Sequence, residues 1–354
     1  MRPARLLGFV LLAIGVMAGC ARPVAPLPDA PLPAPTPPPP IVFPTDAGPH
    51  DALTEWWYYT GHLTSDGDGH RYGFEFVVFQ VRREDEPTGY LAHFAVSDVD
   101  GQRFVHEARV AQSQTPLTAF PLEVGGWRLD SHGASDEIHA SMADAPFALD
   151  LRLADEKPPA LHHGGYIDYG PAGGSYYYSR TRLRVTGTLA SASAEQVPVS
   201  GMAWMDHQWG NFVVAAAGGW DWYSLQLDDD SELMLYVLRS ADGETTGVYG
   251  SETSADGTVR DLQPGSVTAE AIGSWTSPHT GAVYPSGWRL TLPDGARLVL
   301  EPQLRDQELW FPGASGVGPG AMAYWEGAVS VTGARTGQGY VELTGYTALS
   351  GTGR

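Results

Sequence analysis

The chain of 354 residues has one cysteine, Cys20, and one lysine, Lys157. A single thiol cannot form a disulfide within the chain, and no thiolate catalyst or thiolate metal site is available after residue 20. Only 21 residues are basic against 41 that are acidic, which gives a net charge of −20. Such a surface repels nucleic acid and anionic lipid headgroups, so no nucleic-acid partner is predicted.

The sequence also has few recognisable catalytic or metal motifs. Gly-x-Ser-x-Gly does not occur, which argues against an α/β-hydrolase. No group of His, Asp and Glu residues has the spacing of a metal site, so neither a metal nor a cofactor is predicted. The adjacent pair His162 and His163 precedes Gly164 and Gly165, and a loop is the favoured interpretation.

The N-terminus has the pattern of an export signal. Arg2 and Arg5 precede an apolar run at 6–16, and small residues precede Cys20. The pattern resembles a lipobox, so we predict a lipoprotein signal peptide over 1–20 and lipidation of Cys20. A plain secretory signal with cleavage nearby is the alternative.

The segment that follows predicts an attachment to the cell envelope. Residues 21–40 are rich in proline and predict an extended linker. Because two arginines belong to the signal, the remaining chain carries a charge near −22, and attachment would depend on lipid at Cys20. Since Ala21 follows Cys20, we expect the periplasmic side of the outer membrane if the source is Gram-negative.

After residue 40 the apolar pattern has a period of two, and we find no long amphipathic helix. Short runs separated by turn signals predict an all-β protein of antiparallel barrels or sandwiches. The predicted strands include 72–81, 92–96, 149–153, 181–185, 224–227, 233–238, 288–292, 297–300 and 340–343. The predicted turns are 65–69, 228–230, 241–243, 255–257 and 293–295.

Two short patterns occur in the same order in each half of the chain. One is an acidic residue before aromatics, and the other is Val-Thr-Gly followed by a second glycine. About 310 residues exceed what one core usually serves, so the repeats predict two tandem domains, 41–212 and 213–354. The matching positions are Glu55-Trp56 and Asp221-Trp222, Val185-Thr186-Gly187 with Gly201, and Val331-Thr332-Gly333 with Gly345.

The richest chemistry lies in the stretch 201–212. Asp206 beside His207 offers a proton donor and an acceptor, and Trp204 and Trp209 would exclude water and present π faces to a cation. The alternative is a satisfied polar pair between core tryptophans, which braces the junction of two barrels.

Five stretches together resemble the AttH and carotenoid 1,2-hydratase-like family. They are Glu-Trp-Trp-Tyr-Tyr-Thr-Gly-His-Leu at 55–63, Gly-Ser-Tyr-Tyr-Tyr-Ser at 174–179, Trp-Met-Asp-His-Gln-Trp-Gly at 204–210, Tyr-Trp-Glu-Gly at 324–327 and Gly-Tyr-Val-Glu-Leu-Thr-Gly-Tyr at 339–346. The resemblance covers the chain after residue 41. It implies two tandem lipocalin-like antiparallel β-barrel domains with an apolar cavity.

The resemblance also implies a choice of functions. Relatives include hydratases that add water to the terminal double bond of acyclic carotenoids, and more distantly similar folds serve as pericyclases on polyketide chains. Many bacterial members are secreted or lipidated and are encoded beside ABC permeases. The implied ligand is therefore an apolar small molecule such as a polyene or lipid.

Hydration of an alkene requires an acid, a site that tolerates a carbocation and a positioned water. We predict that burial raises the pKa of Asp206 so that it acts as the acid. His207 would hold the water, while Trp204 and Trp209 would stabilise the cation by up to ~2 kcal/mol.

The resemblance assigns family positions to particular residues. His207 and Trp209 match a His-x-Trp pair of the hydratases, and Tyr236 matches the first residue of a Tyr-x-Asp pair. Leu238 occupies the position of that proton-donating Asp. Either Asp206 or Asp221 replaces that acid, or the protein catalyses another reaction.

Other residues are secondary candidates. The aromatic residues at the start of each half and in the central stretch are the predicted ligand contacts, namely Trp57, Tyr59, Trp204, Trp222 and Tyr223. Glu55 and Asp221 either face a cavity or act as structural acceptors for a turn or an indole, and both alternatives are open. Glu326 and Glu342 lie in the closing strands of the second unit, where a role facing the cavity is again one alternative.

Two functions follow from these observations. The first is an enzyme that hydrates or isomerises an apolar unsaturated substrate through Asp206, His207, Trp209, Tyr236 and Asp221. The second is a non-catalytic carrier, a lipidated accessory protein that passes its ligand to an ABC permease. The lipobox, the linker and Leu238 favour the second function, and the central motif favours the first.

Overall fold

The computed structural model describes residues 38–145, 147–169, 173–191, 195–212, 218–311 and 323–347. The signal peptide, Cys20 and the linker up to residue 37 lie outside the described residues, so those assignments remain predictions. Within the described ranges, no helix has the length and hydrophobicity needed to cross a membrane. A 3-10 turn at Thr45–Ala47 precedes the first strand.

Eleven antiparallel strands form the first sheet. Their order is β4-β3-β2-β1-β11-β10-β8-β7-β6-β5, and β9 pairs with β10. The strands are β1 Thr54–Ser65, β2 Arg71–Val81, β3 Thr88–Asp98, β4 Arg103–Ser113, β5 Leu122–Val124, β6 Trp127–Ser131, β7 Ser135–Ser141, β8 Ala148–Asp155, β9 Ala160–Asp168, β10 Gly173–Ala190 and β11 Gln196–Phe212.

Ten antiparallel strands form the second sheet, in the order β15-β14-β13-β12-β23-β22-β20-β19-β16 with β21 paired to β22. A separate hairpin joins β17 to β18. The strands are β12 Trp220–Leu227, β13 Glu232–Arg239, β14 Thr245–Thr253, β15 Val259–Asp261, β16 Thr268–Ala271, β17 Ser274–Thr276, β18 Val283–Pro285, β19 Trp288–Thr291, β20 Arg297–Pro302, β21 Glu308–Trp310, β22 Ala323–Gly333 and β23 Gly337–Leu343.

The two sheets repeat one strand order. The first strand of each, β1 or β12, lies between the second strand and the last one, β11 or β23. The repeated Val-Thr-Gly patterns lie on the matching strands β10 and β22, where Gly187 and Gly333 both have positive φ. Glu55 and Asp221 are each the second residue of the matching strands β1 and β12. The predicted all-β fold of two tandem antiparallel units is therefore confirmed.

The predicted strands and turns follow the observed boundaries closely. Each predicted run lies within one strand to within a residue, and each predicted turn joins two consecutive strands. The loop predicted at His162 and His163 is wrong, because both residues lie in β9. The glycines that suggested a loop, Gly164 and Gly165, have positive φ inside this irregular strand.

The first sheet curls until its edges approach each other. The Arg109 guanidinium on β4 lies 5.3 Å above the Trp127 ring on β6. Aromatic and aliphatic side chains fill the interior, which leaves a packed core rather than a pore. The largest fully buried members of this core are Trp57, Tyr59, Phe74, Phe76, Phe94, Trp127, Phe147 and Tyr178.

The second sheet has its own core, and the two sheets pack face to face. Tyr223, Trp288 and Trp325 lie in the second core. A third apolar cluster between the sheets includes Tyr58 and Trp204 from the first sheet and Trp222 from the second. Residues 40–354 form one compact unit. The division into domains at residues 212 and 213 remains a prediction.

Buried polar contacts fix one sheet against the other. The Lys157 ammonium, 7% exposed, lies 2.9 Å from the Glu232 carboxylate. Arg182 Nε donates to the same carboxylate at 2.6 Å. Gln226 on β12 donates to the backbone carbonyls of Thr181 and Ala203, at 2.8 Å each. The carboxylate of Glu232 is thus neutralised by two cations from the first half of the chain.

Candidate functional site

Strand β11 passes between the first core and the contact of the two sheets. Its side chains alternate, so His207 and Trp209 point into the first core while Trp204 and Asp206 face the second sheet. The acid and the imidazole therefore do not form the pair predicted from their adjacency. Consecutive residues of a strand point to opposite faces, which explains the difference.

The predicted site residues divide among three places. Between the sheets lie Asp206, Trp204, Trp222 and Tyr236. The first core contains His207, Trp209, Trp57 and Tyr59. The second core contains Tyr223, and Asp221 lies beside it.

Asp206 accepts hydrogen bonds from three side chains. The Tyr177 hydroxyl and the Trp204 indole N–H donate at 2.6 Å each, and the Ser179 hydroxyl donates to the same carboxylate. Burial raises the pKa of Asp206 to about 6, although these hydrogen bonds favour the ionised form. Trp222 from the second sheet donates to the Tyr177 hydroxyl at 3.2 Å, which links Asp206 to both sheets.

Two glutamates face Asp206 from the second sheet. Glu326 on β22 and Glu342 on β23 are direct cross-strand neighbours, and like charges in that arrangement repel. Burial raises the pKa of Glu326, and the negative charges of Glu342 and Glu75 raise it further. Burial raises the pKa of Glu342 to about 7. The Trp220 indole N–H, which donates to this carboxyl at 2.8 Å, lowers the pKa and offsets part of the rise.

Glu326 has one engaged oxygen and one open oxygen. The Tyr58 hydroxyl donates to Oε1. Oε2 is buried and has no hydrogen-bond partner among the described residues. If the carboxyl is neutral, Oε2 can carry the proton and donate it to a bound molecule. If the carboxyl is ionised, a buried negative charge is left without a compensating partner at this oxygen.

Glu75 on β2 of the first sheet is a further buried acid near Glu326 and Glu342. Glu75 accepts a hydrogen bond from the Tyr324 hydroxyl at 3.1 Å, and His93 Nδ1 lies 2.6 Å from that hydroxyl. Burial raises the pKa of Glu75 to about 8 and lowers the pKa of His93 to about 3. The carboxyl and the imidazole are thus both neutral near pH 7.

An open cavity of about 690 Å³ lies between β4 and β21. Its lining includes Phe104 and His106 from β4 and Trp310 from β21. The His106 ring lies 5.2 Å from the Phe311 ring, which stacks on His93 at 4.6 Å. The cavity is therefore separated from His93 by one aromatic ring.

Aromatic rings surround the carboxyl groups. Trp222 meets Tyr58 edge-to-face at 5.2 Å and Trp204 at 6.2 Å. Tyr236 stacks on Tyr249 at 5.2 Å in the same layer. Faces of such rings attract cations, most strongly where water is excluded.

The predicted residues in the first core form a separate polar group. His207 Nε2 donates to Glu55 Oε1 at 2.8 Å, and His50 Nδ1 donates to the same oxygen at 2.7 Å. His50 stacks on Trp209 at 4.0 Å, and His207 stacks on Trp57 at 4.8 Å. Burial alone would raise the pKa of Glu55, but the hydrogen bonds from the two imidazoles lower it.

Asp221 is a buried acceptor in the second half. The Arg239 guanidinium donates to it, and the Tyr346 hydroxyl donates at 3.1 Å. Burial raises the pKa of Asp221 despite the positive charge of Arg239. Both oxygens of Asp221 accept hydrogen bonds from the Tyr346 hydroxyl, at 3.1 and 3.2 Å.

Sequence reasoning missed several residues of these clusters. Glu75 lies in a strongly apolar strand, where an isolated acid is a usable signal. Tyr58 and Tyr177 were hidden among other aromatic residues. His50 precedes β1 and meets His207 only through the fold, 157 positions along the chain.

Two curled antiparallel sheets of equal strand order, with a carboxyl cluster buried between them, define a tandem lipocalin-like β protein. The chain belongs to the AttH-like family, whose family model matches residues 34–346.

The solved structures agree with this assignment. A crystal structure assigned as an AttH from Nitrosomonas europaea is 33% identical, with a TM-score of 0.78, over 88% of this chain and 98% of that chain. Kievitone hydratase from Nectria haematococca is 17% identical, with a TM-score of 0.69, over 86% of this chain and 93% of that chain. The second likeness concerns the fold alone. No curated protein matches the chain.

Proposed function

We propose that the protein catalyses the acid-dependent hydration or isomerisation of an apolar unsaturated substrate between its two sheets. The observation that carries the proposal is Glu326, a buried carboxyl with a raised pKa and one open oxygen. The fold of a hydratase and the surrounding tryptophans support the same chemistry.

The acid and base roles follow from the different surroundings of the carboxyl groups. Asp206 was the acid predicted from sequence, but three donors occupy its oxygens and its pKa is about 6. It is therefore mostly ionised at pH 7 and suits the base. Glu326 retains its proton and suits the acid. Carboxyl groups with such separated pKa values commonly divide acid and base roles.

The reaction balances with water as the only co-reactant. Glu326 transfers its proton to the less substituted carbon of a trisubstituted double bond, and a tertiary carbocation forms at the other carbon. The water oxygen bonds to that carbon while its proton passes to Asp206. A proton then returns from Asp206 through solvent to Glu326. In isomerisation, the cation loses a proton from a neighbouring carbon instead.

The rings around the cluster have a defined part in this scheme. Trp222, Trp204 and Tyr58 would face the carbocation, each contributing up to ~2 kcal/mol in a desolvated site. Glu342 holds the opposite cross-strand position and keeps the pKa of Glu326 raised.

The test is conversion of an acyclic polyene with a terminal trisubstituted double bond, followed by mass spectrometry. Hydration adds one water, with deuterium on carbon in D2O, whereas isomerisation incorporates deuterium without added oxygen. We expect Glu326→Gln to lower kcat by about 10²–10⁴-fold, the usual range for a general acid. The parent rate should fall below about pH 6, where Asp206 is protonated, and again as Glu326 ionises at higher pH.

The matched control is Glu107→Gln on β4, whose carboxylate pairs with Arg109 on the opposite face of the first sheet. This variant should retain the parent rate. Equal rates for Glu326→Gln and the parent, or a rate independent of pH, would refute the assignment of Glu326 as the acid.

A second candidate function is supported by Leu238. This residue is half-buried opposite Trp220, at the position where the hydratases are expected to carry an acid. We propose as the alternative a non-catalytic carrier of a polyene or lipid, anchored through Cys20 in the cell envelope and working with an ABC permease. Recovery of an unmodified polyene from both the parent and Glu326→Gln would favour this carrier.

A further inference from the structure

Three potential metal ligands converge at the entrance to the first core. His50, Glu55 and His207 each offer one ligand atom, and these atoms lie within 4.8 Å of one another. His50 comes from the segment before β1, Glu55 from β1 and His207 from β11. Within the described residues, this is the one such group of three. It lies on the opposite face of β11 from Asp206 and thus apart from the carboxyl cluster.

The donor set has the composition of a known class of metal site. Two imidazoles and one carboxylate bind zinc in catalytic sites, where the fourth position is open to water or substrate. Ligand atoms about 2.1 Å from a tetrahedral ion lie about 3.4 Å apart. Here the two imidazole nitrogens lie 2.7 and 2.8 Å from Glu55 Oε1, so each of these two separations would have to widen by about 0.6 Å in the bound state.

Each imidazole also has a polar neighbour for the tautomer that a metal requires. A metal replaces the proton on His50 Nδ1 and His207 Nε2, so the other nitrogen must carry one. His207 Nδ1 lies 3.2 Å from the Tyr178 hydroxyl, and His50 Nε2 lies 3.6 Å from Asp46. His207 Nδ1 therefore has a hydrogen-bond partner in place, and Asp46 lies just beyond hydrogen-bond distance of His50 Nε2.

The carboxylate is oriented in the same way. Gln80 Nε2 and the His50 backbone N–H donate to Glu55 Oε2, at 3.0 and 2.9 Å. Oε1 is left facing the two imidazoles. Second contacts of this kind orient the ligands of metal sites and affect their affinity.

We propose that His50, Glu55 and His207 bind a divalent transition-metal ion of the zinc class, with a fourth position open to water or an oxygen ligand. The hydrogen bonds of the metal-free triad hold the ligands near their positions in the bound state.

Rigidity and access fit this assignment. The Trp57 indole N–H donates to the Ala47 carbonyl at 3.0 Å, which fixes the segment that carries His50. His50 is 21% exposed, which gives an ion a route from solvent.

The experiment is calorimetric titration of the metal-free protein with Zn²⁺, together with Co²⁺ absorption spectroscopy. We expect one ion per chain and the visible bands of tetrahedral cobalt. His50→Ala should weaken Zn²⁺ binding at least a hundredfold without unfolding the protein, because His50 is partly exposed and precedes the first strand. Glu55→Gln and His207→Ala should weaken binding as well.

The matched control is His139→Ala on β7, an exposed histidine beside Asp150. This variant should bind Zn²⁺ like the parent. If the parent binds no Zn²⁺ below millimolar concentration, or if His50→Ala binds as the parent does, the three residues are a hydrogen-bonded brace and the proposal is wrong. These results do not depend on polyene conversion, so the two proposals can fail separately.

Discussion

Asp206 is held by three neutral donors, and this arrangement makes its carboxylate hard to replace. In Asp206→Asn, the amide group can accept at one atom only, so at least one of Tyr177, Ser179 and Trp204 would lose its acceptor. Leaving a buried donor unsatisfied costs about 1–3 kcal/mol. We therefore expect the free energy of unfolding to fall by that amount in urea titrations near pH 7.

A matched control is Asp150→Asn on β8, whose side chain is 63% exposed. A surface change of this kind alters stability by about 0.5 kcal/mol or less. If Asp206→Asn unfolds at the parent's urea concentration, the three donors do not stabilise a carboxylate at this position.

The sequence identified some residues of the site but not the partners of each side chain. The stretch with Asp206 and His207 was identified correctly as polar and aromatic, but the two side chains serve different clusters. The alternation of a strand was sufficient to separate them. Glu326 and Glu342 were found in the closing strands, whereas His50 and Glu75 acquire their partners only by tertiary packing.

At the scale of strands, Gly73 permits the close approach of the two sheets. A Cβ at this position on β2 would collide with the Tyr340 hydroxyl and lie 3.0 Å from Ala328 Cβ, both in the second sheet. We expect Gly73→Ala to separate the sheets locally and to lower the free energy of unfolding by about 1–3 kcal/mol, as overpacked cores do. Urea unfolding measures the change.

Gly89→Ala on β3 is the control for this substitution. Its Cβ would meet only the Val81 carbonyl, at 3.8 Å, so a change well under 1 kcal/mol is expected. Equal losses in the two variants would show that the collision with Tyr340 does not determine the stability of Gly73→Ala.

Strands and turns were the most predictable features. Alternating runs such as 149–153 have one buried face, and Asp-Gly pairs mark hairpin turns. Both signals lie in the local sequence, so strands and turns can be predicted from it. The order of strands is not local. The matching patterns in the two halves predicted a repeat, but only the fold shows that β1 pairs with β11 and that Glu326 lies directly opposite Glu342 on β22 and β23.

At the scale of the whole molecule, buried acids make stability depend on pH. Burial raises the pKa of Glu75 from 4.5 to about 8, of Glu342 from 4.5 to about 7 and of Asp206 from 3.8 to about 6. The folded protein keeps these protons at a pH where the unfolded chain releases them. Histidines with pKa values lowered by burial oppose this effect below about pH 7, where the unfolded chain would protonate them. They include His62, His93, His106 and His162. The free energy of unfolding should therefore fall as pH rises from about 7 to about 9, where these histidines are neutral in both states.

Urea titrations at about pH 7 and about pH 9 measure this fall. Glu75→Gln has no ionisable group at this position, so its free energy of unfolding should fall less than the parent's, by a difference on the order of 1 kcal/mol, since one pKa unit corresponds to about 1.4 kcal/mol. Exposed Glu137→Gln should retain the parent's pH dependence. A parent that gains stability over this range would contradict neutral buried acids.

Lys157 gives the molecule an unusual chemical property. It is the one lysine of the chain, and its ammonium is enclosed by Glu232 and two backbone carbonyls where the sheets meet. Reagents that acylate primary amines therefore find no exposed lysine on the folded protein. Acylation of Lys157 would therefore occur only when the sheets separate and expose the amine. Because the acylated residue has no positive charge, Glu232 would lose its ion pair with residue 157, and the sheets would pack together less favourably.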